Sequence, residues 1–461
     1  MIQPGIFKND IRAIYGQEID DSGINLLGKA FGTYFLQKNL KKIIVGRDNR
    51  VSGPVFEKNF IEGLLATGID VVNLGTVTTP MIYYSWIDLA APATVMITAS
   101  HNPPEFNGLK SAIDKKPLLG DAYQEIRKIL ESGKFLLGNG TLSKDNIWPH
   151  YLAKITGDIK LKKKLKVVID SGNGTTGLFA KEFFEKLGCE VTGLYLESDG
   201  SFPNHLPYPQ KVELYKKLVR TINENKADLG LTFDGDGDRA GVFDNNGEFI
   251  PNDLLTIIFI REILKKHPGA KIVMNISTSL SVIEDTRNHG GEITLWKTGY
   301  PHISSKMKET GALFGAEISG HFFFKDRYYG FDDAFYADAR LLEILSNQNK
   351  PMSEMLSDKP EFFTSPEFRL PVESYKDKFS LVNSLAGQIK ILYPSAQLLD
   401  FDGVRFSFPD GWGLVRASNT ENMITGRAEA KSEERLEEIK KIISKLLFEQ
   451  GLRLDWNNPI T

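Results

Sequence analysis

The sequence predicts an α/β architecture: three similar α/β domains with mixed, largely parallel sheets, plus a smaller α+β C-terminal domain, arranged around a central cleft. Two observations carry that expectation. A strand–helix–strand–helix–strand pattern occurs three times along the 461 residues, and each copy ends in an unusual polar loop. The remaining stretch of about a hundred residues lacks the pattern and is long enough for one small domain.

The three opening strands are read in "KKIIVGRD", "LKVVIDSGNG" and "AKIVMNISTS", each short, rich in Ile and Val and closed by a polar loop. A helix-length segment, a glycine and a second strand follow in every copy, in "GIDVVNLG", "GCEVTGLYL" and "GGEITLW". The third strands, "ATVMI", "DLGLTF" and "GALFGA", run into Thr98-Ala99-Ser100-His101, "DGDGDR" and "EISGH". Such alternation argues for buried, largely parallel sheets, which place ligands beyond the carboxyl ends of their strands. The three loops are therefore expected to meet at one centre. The domains are placed at residues 1–146, 147–250, 251–360 and 361–461. The last carries a hairpin around Asp410-Gly411 and a charged amphipathic helix from about Ser432 to Gln450.

Composition narrows the classes. Hydrophobic content of 41% with 25% charged residues describes an ordinary globular chain, and a net charge of −3 gives no sign of a nucleic-acid or membrane partner. No signal pattern or membrane-length apolar run is read, and one cysteine, Cys189, excludes an internal disulfide, so a cytoplasmic location is expected. Cys189, at a helix-to-strand junction, reads as a buried structural thiol.

"TASHNPPEFNGLK" sets Ser100 beside His101 with Lys110 downstream. Adjacent residues on an extended chain point to opposite sides, so His101 is a poor acceptor for the Ser100 proton, and no G-x-S-x-G elbow surrounds the serine. A hydrolase triad is thus disfavoured. "DGDGDR" places Asp234, Asp236 and Asp238 at alternate positions, and an extended loop would turn all three carboxylates to one side. Like charges so close call for a cation, and hard oxygen ligands point to Mg²⁺. An EF-hand is ruled out by Arg239 and Asn245 at its sixth and twelfth positions. "SGNGTTG" matches G-x-G-x-x-G through Gly172, Gly174 and Gly177, with Glu197 further on. A tight strand-to-helix turn is the preferred reading, and an NAD-binding oxidoreductase the alternative. "RASNTENMITGR" groups Arg416, Ser418, Asn419, Thr420 and Arg427, donors suited to a phosphate monoester. "EISGH" offers Glu317, Ser319 and His321 to sugar hydroxyls. Arg12 and Arg47 are loop arginines open to either a surface or a phosphate-contact reading.

Taken together, these stretches resemble the α-D-phosphohexomutases, in particular the bacterial phosphomannomutase/phosphoglucomutase branch. The similarity runs from about Ile6 to Ala430 and also takes in "FPNHLPYP" and "GWGLVRASNT". It implies an intramolecular phosphotransferase that interconverts hexose 1-phosphate and hexose 6-phosphate through a phosphoserine and a hexose 1,6-bisphosphate. By the resemblance Ser100 carries the phosphoryl group, and Ser100, Asp234, Asp236 and Asp238 hold one Mg²⁺. Lys110 is the general acid/base, its pKa requiring depression by burial or nearby cations. Arg12 and Arg239 lie near the transferred phosphate, and His101 is kept among the catalytic candidates. Glu317, Ser319, His321 and Tyr300 bind substrate, with Arg416, Ser418, Asn419 and Thr420 at the distal phosphate. Glucose 1,6-bisphosphate is expected as activator, and a monomer or dimer as the assembly. Where the branch often has Lys-Thr-Gly-His, this chain has Lys297-Thr298-Gly299-Tyr300 and then Pro301-His302, and a family lysine is replaced near Ser277. Phosphoglucosamine mutase and a catalytically dead sugar-phosphate-binding homologue are the remaining alternatives.

Overall fold

A computed structural model describes residues 2–7, 10–372, 375–418 and 422–456. It divides into two compact units, Met1–Asn252 with Ser319–Met355, and Asp253–Ile318 with Leu356–Thr461.

The first unit holds two mixed sheets. In one, Lys42–Arg47 lies between parallel neighbours Asp70–Thr76 and Ala93–Ile97, and antiparallel strands Phe106–Ile113 and Ile11–Ile14 extend it. Ile43, Ile44 and Val45 are fully buried, as expected of a parallel strand covered on both faces. Helix Asp21–Gln37 starts where the Asp20 side chain accepts the Gly23 N–H at 2.8 Å. In the other sheet, Lys166–Asp170 runs parallel to both Glu190–Leu194 and Leu229–Phe233, and Ala240–Phe243 returns antiparallel. Cys189 is buried just before one of these strands, and burial with the Asp228 charge pushes its thiol up to about 12.

In the second unit, Lys271–Asn275 pairs in parallel with Glu292–Trp296 and Phe314–Ala316. The C-terminal sheet is antiparallel, turning at Phe408↔Gly411, and helix Glu433–Glu449 packs on it behind a Ser432 cap. Four sheets are thus present among the described residues, three of them in α/β surroundings as the repeats predict and one antiparallel as expected of the C-terminal remainder. No helix among the described residues is long and apolar enough to cross a membrane.

Candidate active site

Strand Ala93–Ile97 delivers Thr98 and Ser100 to the end of the first sheet. Ser100 has φ of 52°, a left-handed conformation that costs a non-glycine residue of order 1–3 kcal/mol. The cost is met by Arg50. Its fully buried guanidinium donates to the carbonyls of Ser100 and Asn102, both at 2.7 Å, of Pro103 at 2.6 Å and of Phe106 at 2.9 Å. Asp48 anchors that guanidinium at 3.1 Å and accepts the Thr98 hydroxyl at 2.7 Å, and Thr98 Oγ1 in turn accepts the Ser100 N–H at 2.8 Å.

The left-handed turn corrects one expectation. Ser100 and His101 do not diverge: Ser100 Oγ lies 3.2 Å from His101 Nδ1. Burial, with Arg239 and Arg12 nearby, pushes His101 well below its usual range, so the ring is neutral at pH 7. Ser100 Oγ also donates to Asp234 Oδ2 at 2.7 Å.

The aspartate loop follows strand Leu229–Phe233, but it is folded rather than extended. Gly237 at φ of 73° turns the chain so that the N–H groups of Gly237, Asp238 and Arg239 converge on Asp234 Oδ1 at 3.0, 3.1 and 3.2 Å. The three carboxylates still meet, each buried and each with an oxygen within 4.8 Å of the others. Asp236 Oδ2 accepts from Thr79 Oγ1 at 2.5 Å and Lys110 Nζ at 2.7 Å, and Lys110 donates to Asp238 Oδ2 at 2.5 Å. Oδ1 of Asp236 and of Asp238 accepts no hydrogen bond among the described residues. Burial and the charges of Asp238 and Asp236 push Asp234 well up. Orphaned buried carboxylate oxygens around one point fit a hard divalent cation.

Lys110 departs from expectation. Burial pulls its pKa down, but Asp236 and Asp238 together more than reverse that, so the side chain is an ammonium. Arg12 donates to Asp10 at 2.9 and 3.0 Å and to Asn102 Oδ1 at 3.1 Å, beside the serine loop. Arg47 is tied instead to Glu57 at 3.4 Å and to the Asp48 carbonyl at 3.0 Å, a structural role. Arg239 Nε donates to His321 Nε2 at 2.9 Å, which leaves the ring proton on Nδ1, 2.7 Å from Asp332. That arrangement orients a buried imidazole and makes Asp238, His321 and Asp332 a poor second set of metal ligands. The Ser319 carbonyl accepts from the Gln210 amide.

In the second unit, the buried Glu317 carboxylate accepts the Gly299 N–H at 2.5 Å, just before helix Tyr300–Thr310. Tyr300 is half-buried at that helix start. Asp402 accepts the Thr298 N–H at 2.8 Å and lies 3.4 Å from the Arg416 guanidinium. Ser418, at the end of strand Gly411–Ala417, offers its carbonyl to the fully buried Lys378 at 2.5 Å. Asn419 and Thr420 lie outside the described residues. Glu317 falls in this unit, whereas Ser319 and His321 belong to the first.

The "SGNGTTG" glycines serve internal packing. A Cβ on Gly174 would meet Gly235 Cα at 3.3 Å, and the Thr175 N–H donates to the Gly235 carbonyl at 3.0 Å. The turn thus backs the aspartate loop, as preferred over a dinucleotide site. Sequence reasoning missed Arg50, Asp48, Thr79 and Asp332. The stretch "GRDNR" held the first two in view, but only tertiary contacts separate Arg50 from Arg47.

Comparisons with known proteins agree with this layout. Models of the phosphoglucomutase/phosphomannomutase family match in chain order: alpha/beta/alpha domain I over residues 6–137, domain II over 149–247, domain III over 251–363, and the C-terminal domain over 370–446. A phosphomannomutase/phosphoglucomutase of Pseudomonas aeruginosa is 41% identical over 433 residues, covering 94% of this chain and 93% of that protein. A phosphoglucomutase of Neisseria gonorrhoeae is 39% identical over 454 residues, 98% of each. The crystal structure of a phosphoglucomutase/phosphomannomutase family protein from Burkholderia thailandensis superposes with a TM-score of 0.90 at 36% identity, covering 98% of both chains. With the serine loop, the aspartate loop and all the family's domains present in order, the chain belongs to the phosphoglucomutase/phosphomannomutase family.

Proposed function

We propose that this chain is a phosphomannomutase/phosphoglucomutase, interconverting hexose 1-phosphates and hexose 6-phosphates through a phosphoserine and a hexose 1,6-bisphosphate. One observation carries the reading: the hydroxyl of the fully buried Ser100, in a strained loop, sits 2.7 Å from an aspartate of a carboxylate triad. A phosphoryl group on Ser100 would bring close to two negative charges to that point. Arg12, Arg239 and Lys110 are the chain's own cations there, and phosphoryl transfer asks mainly for positioning and charge stabilisation. Lys110 starts as the acid, able to give a proton to the leaving oxygen and take it back on the return transfer. Mg²⁺, held by Asp234, Asp236, Asp238 and an oxygen on Ser100, would neutralise phosphoryl charge and compete with the Lys110 ammonium for its carboxylates. Glu317 and Ser319 would read sugar hydroxyls, with Arg416 and Ser418 at the distal phosphate. The four-domain division of the sequence and a cytoplasmic location belong to the same proposal.

The bisphosphate must bind in two orientations, so recognition has to rest on groups that nearly superpose when it flips. Glucose and mannose differ only at C2, which such a scheme leaves unread. A coupled assay with either sugar 1-phosphate, Mg²⁺ and catalytic glucose 1,6-bisphosphate should give kcat/KM values within roughly tenfold, about 1.4 kcal/mol. Glucosamine phosphate, with an ammonium at C2, should be much poorer. Preference for one epimer by several orders of magnitude, or for glucosamine phosphate, would overturn dual specificity.

A further inference from the structure

His205 takes no part in the mechanism above, yet both of its ring nitrogens meet partners. Its Nδ1 lies 2.9 Å from the Leu206 carbonyl, and its Nε2 lies 3.1 and 3.2 Å from the two oxygens of Asp170. A carbonyl only accepts, so Nδ1 carries a proton. Nε2 faces both Asp170 oxygens, one of which also accepts the Gly172 N–H at 2.9 Å, and against an ionised carboxylate, which only accepts, Nε2 must be the second donor. Two donors make the ring an imidazolium. Both partners are shielded, with side chains 7% and 1% exposed.

The segment that this pair pins, residues 203–210, reaches the reacting groups by two routes. Pro207 Cγ lies 3.5 Å from where a Gly235 Cβ would sit, and the Ser100 carbonyl lies 2.6 Å from the same point. Segment, aspartate loop and serine loop are thus in mutual contact. The Tyr208 ring then lies against the His101 ring, centroids 4.7 Å apart, beside Ser100. Farther along, the Gln210 amide holds the Ser319 carbonyl.

We propose that His205 and Asp170 form a latch that positions the Ser100–His101 loop through the 203–210 segment. His205 is a positioning residue, and its charge is the active element of the latch. The groups facing it are Asp170 from the end of strand Lys166–Asp170, Tyr195 beyond strand Glu190–Leu194, and Tyr215 from the turn Val212–Tyr215, with Lys217 standing 4.7 Å over the Tyr195 ring. Burial pulls the His205 pKa down, but the Asp170 hydrogen bond and charge, helped by the Leu206 carbonyl, outweigh it, and the net shift is upward. A raised folded-state pKa means the latch is complete below the ordinary imidazole value of about 6.5 and is lost as pH rises through the folded value.

The proposal rests on the mutase reading for its kinetic readout, so it is tested with a second readout that does not need turnover. The His205 imidazole signals, followed by NMR across pH, should titrate above the ordinary value in the wild type and lower in Asp170→Asn. An unshifted wild-type titration overturns the latch even if mutase activity is absent. With activity present, His205→Gln should lower kcat by roughly tenfold to a hundredfold, the cost of small misplacement of reacting groups. KM should stay within about twofold. The wild-type fall in activity at alkaline pH should be absent from the variant's profile. His205→Gln combined with Tyr208→Ala should be no worse than the more damaging single change, because both act along one route. A purely additive double variant, or a His205→Gln enzyme with wild-type kcat and pH profile, contradicts the proposal. Should His205→Gln fail to fold, Asp170→Asn and Tyr208→Ala give the same decision.

Discussion

The two units hold their polar loops in different ways. In the first, Ser100 is fixed by a fully buried arginine, a buried aspartate and a threonine, and its hydroxyl ends on a carboxylate triad that is itself buried. In the second, Asp402 accepts the Thr298 N–H and lies 3.4 Å from Arg416, Glu317 accepts the Gly299 N–H, and the Asp402–Arg416 pair is partly open to water. Chemistry demands fixed positions for groups whose charge changes, whereas recognition of a substrate that turns over tolerates looser holding. Substitutions at the serine and aspartate loops of the first unit should therefore cost turnover, and those at the Thr298–Gly299 turn and Arg416 of the second should cost binding.

The largest effect is expected at the triad. Asp236→Asn should lower kcat by about a hundredfold to a thousandfold, since it removes charge stabilisation from the transition state. Chelation with EDTA should abolish wild-type activity and added Mg²⁺ restore it. Full turnover after exhaustive chelation would break the contrast at its strongest point. Next comes Arg50→Met, which orphans the serine-loop carbonyls and leaves Asp48 a buried unpaired charge. A loss of about 3–5 kcal/mol is expected in urea unfolding of the first unit, with faster amide exchange in the serine loop. A mere surface effect would leave both unchanged. The smallest effect is expected from Asp402→Asn, where a partly exposed charge contact is worth about 0.2–1 kcal/mol. Steady-state kinetics should show KM for the sugar phosphate raised by about twofold to fivefold with little change in kcat. A collapse of kcat there would mean that the second unit also positions reacting groups.

Much of this was legible in the sequence, for identifiable reasons. Buried parallel strands are continuous apolar runs, so Lys42–Arg47, Lys166–Asp170 and Lys271–Asn275 stand out, and each repeat announces its loop by where its last strand stops. The convergence of Asp234, Asp236 and Asp238 was legible from spacing, although the geometry behind it was not. A glycine at positive φ folds the loop, and alternation on an extended chain has no part in it. The nearness of Ser100 and His101 was hidden for the same reason, since no residue pattern announces a left-handed serine. Charge state was equally hidden: Lys110 meets Asp236 and Asp238 across more than 120 residues of chain, and only that meeting makes it an ammonium. Arg50 and Arg47 look alike in "GRDNR" and are told apart only by which carbonyls surround them.

The proposed mechanism turns on Ser100 as the carrier of the phosphoryl group. Its most direct test is intact-mass spectrometry with peptide mapping after incubation with glucose 1,6-bisphosphate and Mg²⁺. One added phosphate, located on Ser100, is expected for the wild type, and none for Ser100→Ala. Equal labelling of the two proteins, or a phosphate mapped to another residue, would rule out Ser100 as the carrier.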